Sequence, residues 1–159
     1  MLTVTVDAGD VCGRLDAVAA AAREGVARTV QQNASELLAK VQDKLSGEVL
    51  NPRSGTLRGS VVETGLLAGA ATFSDSVVSD GTASYARIQE YGGRVSIPEE
   101  VPQAGKALAF AYGGRLVFAA HAAAHDIDIP QRSYLRASLA EQSQPFIDGI
   151  RKVVTECLS

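Results

Sequence analysis

The chain has 159 residues, 46 % of them hydrophobic and 21 % charged, with a net charge of −3. Residues 1–159 therefore read as one domain with a single core, and the composition excludes wholesale disorder. The basic excess that drives nucleic-acid binding through counterion release is missing, leaving only local basic spots at Arg53 with Arg58 and at Arg132 with Arg136.

The first predicted element is a short strand over residues 2–7, where Leu2, Val4 and Val6 alternate with polar neighbours. Asp7 or Asp10 can cap the helix that follows. Apolar positions at Val11, Leu15, Val18, Ala22, Val26, Val30, Leu37, Val41 and Leu45 recur mostly every three or four residues, so the sequence predicts one long helix stopped by Ser46-Gly47. Gly13 and Gly25 weaken it by about 1 kcal/mol each relative to Ala, and Gly25 is the expected place for a break. Residues 48–55 are rich in turn formers.

Three short β-prone runs come next, at 56–64, 66–73 and 76–79. Residues 85–93 predict a helical turn ended by Gly92-Gly93, and residues 95–97 a strand closed by Pro98. The clearest hairpin pairs 107–111 with 116–119 around Gly113-Gly114, which can take the positive φ that a tight primed turn requires. Ser133 is a candidate cap for a C-terminal helix burying Leu135, Leu139, Phe146, Ile150, Val153 and Cys157, with a kink or restart expected at Pro145. The predicted class is α+β, with a long N-terminal helix and a C-terminal helix packed on a small antiparallel sheet.

Cys12 and Cys157 form no CxxC motif and no disulfide framework, which suits a reducing compartment. The N-terminal alternation lacks the basic and apolar regions of a signal peptide, and no apolar run approaches the ~20 residues of a membrane span. The expectation is a soluble chain, not exported by a standard signal, with no membrane partner.

Three segments resemble a known family. LSGEVLNPRSGTLRGSV (45–61) is similar to a segment of the form LSGxVLNxRTGxLRxSI, with Ser54 where Thr is usual and Pro52 where Val is usual. YARIQEYGG (85–93) is similar to YAxxxEFGG. IPQRSYLR (129–136) is similar to IPARPFLR, with Gln131, Ser133 and Tyr134 as departures. The family is the bacteriophage tail-completion, or tail-component, group, which includes proteins akin to the Z protein of phage lambda and the G protein of phage Mu. The resemblance implies a structural virion protein of the neck, completing the tail end and joining it to the head connector. It further implies a homo-oligomeric ring, with a hexamer as one stoichiometry, beside other neck and tail-tube proteins. Genome DNA would pass through its channel without sequence-specific binding, and assembly would take place in the host cytoplasm. Tail terminators and head–tail stoppers are similar small ring subunits, so those readings stand beside it, as does an assembly chaperone absent from the finished particle.

The residues offer little chemistry. His121 and His125, followed by Asp126 and Asp128, form the most metal-like spacing, which is the basis of a rival reading as a small metal-binding enzyme. The segment is extended in character and lacks an HExxH glutamate, and a solvated loop or oligomer contact explains it equally. Ser60, Ser79 and Ser133 sit in no nucleophile elbow, and Cys157 lies beside the end of the sequence. Glu99-Glu100 lies between Pro98 and Pro102 and reads as an exposed loop. Gly92-Gly93 and Gly113-Gly114 lack the Lys-Ser/Thr of a phosphate-binding loop. The expectation is a chain that is not an enzyme and takes no cofactor or metal. The candidate residues are instead contacts between subunits. Arg53 and Arg58 can present guanidinium groups to a neighbour's carboxylates, or be solvated. Tyr85, Tyr91 and Tyr134, with Arg87 and Arg132, suit contacts needing an apolar body and a polar tip, although core packing suits the tyrosines as well. Residues 48–58 and 92–106 are the segments expected to meet neighbours, and 99–106 to order when the next ring docks.

Overall fold

A computed structural model describes residues 9–48, 54–102 and 107–158. The predicted first strand lies outside them. The fold is α+β, with a long N-terminal helix, a C-terminal helix and small antiparallel sheets. The chain divides into two compact units: Met1–Ala86 with Ser133–Ser159, and Arg87–Arg132.

In the first unit, α1 runs unbroken over Gly9–Asp43 and ends in a kinked turn, Lys44–Glu48, where Gly47 takes the non-helical φ of 131°. The break expected at Gly25 does not occur. Gly25 has another reason to be there: a Cβ at that position would lie 2.5 Å from Val153 Cγ1 of α4 (Leu135–Leu158). Antiparallel to that approach, a Cβ on Gly149 would come within 3.3 Å of Thr29 Cγ2. The two long helices thus pack on each other with glycines at their points of closest approach.

Leu135, Phe146, Ile150, Val153 and Cys157 are half-buried on α4, as its apolar spacing predicts, and one predicted residue departs. Leu139 is exposed, whereas Ser138 and Gln142 are buried. Gln142 is accepted there because α1 supplies partners: its Nε2 donates to Asn33 Oδ1 (3.2 Å) and Glu36 Oε2 (2.8 Å). Pro145 causes no restart. Pro145 and Glu141 both lie on the exposed side, so the Glu141 carbonyl that loses its helical donor faces water. At the other end of the unit, Val11 and Leu15, the first members of the α1 stripe, are exposed.

The core brings together Val41, Leu45, Leu57, Val61, Ala83, Ala86 and Tyr134. Leu57 enters it from α2 (Thr56–Gly59), a single helical turn where a β run was expected. From there the chain makes one interrupted hairpin. β1 (Val61–Glu63) pairs with β4 (Val77–Ser79), and within them β2 (Leu67–Ala68) pairs with β3 (Phe73–Ser74). The register slips by one between the two ladders, so that Gly65 and Leu66 oppose Asp75 alone, as in a bulge. Arg23 of α1 holds the inner ladder, donating to Gly69 O and Ala70 O with its guanidinium 5.0 Å from the Phe73 ring centroid.

The second unit is also built of nested strand pairs. α3 (Ala86–Tyr91) leads into β5 (Gly93–Ile97), which pairs with β8 (His125–Ile129). β6 (Leu108–Tyr112) and β7 (Arg115–Ala119) form the inner pair. Gly92 is required where α3 ends. Its φ is 67°, and a Cβ there would lie 2.7 Å from Gln131 N and 2.9 Å from Ile129 O. Gly113 and Gly114 take φ 58° and 77°, the primed turn expected from the sequence.

Candidate functional site

Five residues of the three segments are structural. Leu45, Leu57 and Val61 of the first segment, Ala86 of the second and Tyr134 of the third meet in one core. Tyr134, a candidate contact residue by sequence, is 1 % exposed, and its hydroxyl donates to Ala86 O at 3.3 Å. It is a core tyrosine, not a surface anchor. The aromatic ring supplies the apolar area, and the backbone carbonyl satisfies the buried hydroxyl.

The other candidates lie on the surface of their own units. Arg53 falls outside the described residues. Arg58 is exposed on α2, and Tyr85 is exposed beside α3 in the first unit. In the second unit Arg87 and Tyr91 are exposed on α3. Arg132 lies alongside that helix, its backbone N–H donating to Gln89 O at 2.9 Å. The fold thus gathers Arg87, Tyr91 and Arg132 around one short helix. Among the described residues, the side chains of Arg58, Arg87 and Arg132 form no ion pair.

His125 begins strand β8, and its Nδ1 lies 3.0 Å from Ala123 O, while His121 sits in the preceding loop. The helical spacing that would stack two histidines on one face is not formed. No group of three or more His, Cys, Asp or Glu side chains is placed to hold a metal among the described residues.

The feature that sequence reading found as a hairpin but not as a site is the β6–β7 pair. The outer ladder, β5–β8, has the ordinary two-faced character of a sheet at a surface. Arg94, Ser96, Asp126 and Asp128 share its polar face, with Arg94 Nε donating to Asp128 Oδ1 at 3.0 Å, and Val95, Ile97, Ile127 and Ile129 share the other. β6–β7 has no polar face. Phe110 and Val117 stand on one side with Leu108 and Ala119, while Ala109, Ala111, Leu116 and Phe118 make up the other. Leu116 and Phe118 are 65 % and 64 % exposed, and Tyr112 at the turn is 77 % exposed.

No family model, curated protein or solved structure matches the chain. Besides the hairpin, the second notable surface is a groove of about 240 Å³ in the first unit, lined by Val30, Ala34 and Leu37 of α1, Val77 of β4, and Leu139 and Phe146 of α4. Asp75 and Gln142 also border it, and among the described residues Asp75 Oδ2 and Gln142 Oε1 are enclosed without a hydrogen bond. Because the Gln142 amide nitrogen already serves two acceptors, its orientation is set and the oxygen is the atom left unmet.

Proposed function

We propose that this chain is a structural subunit of a bacteriophage neck, completing the tail end and joining it to the head connector as part of a ring, with no chemistry of its own. The three ordered segments at 45–61, 85–93 and 129–136 support the reading through the resemblance they carry. The observation that bears most on it is the β6–β7 hairpin. A two-stranded ladder is marginal in water, and one with apolar side chains on both faces needs a layer on each side. Neighbouring subunits and the next ring would supply those layers, and repetition of a head-to-tail contact around an axis closes a ring. Arg58, Arg87 and Arg132, which form no ion pair among the described residues, suit directional contacts with a neighbour's carboxylates. A tail terminator or head–tail stopper would use the same surfaces at another level of the neck.

The test is the composition of purified particles. The chain is expected in mature virions at ring stoichiometry, and its absence from them would leave an assembly chaperone as the better reading. Charge reversal at the exposed Arg58→Glu should leave the free chain folded by circular dichroism yet block joining of heads to tails in a complementation assay. Normal particle yield from that variant would remove Arg58 from the interface.

A further inference from the structure

We draw no further inference here: the strongest candidate, the groove of about 240 Å³ between α1 and α4, is an unpartnered apolar surface, and nothing among the described residues shows what covers it.

Discussion

Gly25 costs α1 helical propensity and is retained where α4 comes closest. Replacing it with Ala should gain about 1 kcal/mol of helix propensity, but overpacking against Val153 costs typically 1–3 kcal/mol. Gly25→Ala is therefore expected to lower stability in urea denaturation. The same substitution made in a Val153→Ala background should be neutral or stabilising. A destabilisation of equal size in both backgrounds would place its cause elsewhere. Asp80 shows the opposite economy, in a turn whose geometry suits an ionised carboxyl. Hydrogen bonds from the Thr82 backbone and then its side chain hold that carboxyl below its ordinary pKa, so its contribution is present at neutral pH and is lost on acidification through the lowered value.

At the scale of elements, the two inner ladders differ in what anchors them. β2–β3 is fastened to α1 through Arg23 and Phe73, whereas β6–β7 leaves Phe110, Leu116 and Phe118 to solvent. Hydrogen exchange should therefore be fast for the amides of β6–β7 in the free chain and slow along the facing stretches of α1 and α4. In assembled particles the hairpin amides should slow by roughly tenfold or more, the effect of about 1.4 kcal/mol of added local stability. Protection that is equal before and after assembly would mean that the hairpin stays uncovered. Sequence legibility follows the same division. Gly113-Gly114 made β6–β7 readable to within a residue at each strand, and the apolar stripe made α1 readable over most of its length. α2 was missed because one turn of four residues is too short to display a period. On α4 the burial of Gln142 is not readable locally, because it depends on Asn33 and Glu36, more than 100 positions away in the chain. For the site, the aromatic content of the hairpin was visible, but its lack of a covering layer was not, since local pattern does not reveal what fails to pack.

Across the whole molecule, the three segments supply both core residues and exposed polar ones. Leu45, Leu57, Val61, Ala86 and Tyr134 hold the first unit together, while Arg58, Arg87, Tyr91 and Arg132 are exposed. If copies complete one another, folding and association are linked, and the thermal midpoint should rise with protein concentration. A variant of the exposed hairpin, Tyr112→Asp, should melt at a concentration-independent midpoint, as read by calorimetry over a dilution series. A wild type with the same flat response would argue that each copy is thermodynamically self-sufficient.

The two-faced hairpin also sets a limit on dosage. Uncovered strand edges bearing Phe110, Leu116 and Phe118 form a template that any other copy can match, and nothing in the pairing of two such edges restricts it to the productive geometry. Correct capture is a race against self-sticking that worsens with the square of the unassembled concentration. A cell making this chain ahead of its partners would accumulate precipitate, while one supplying it at the pace of assembly would keep the pool of free ribbons small.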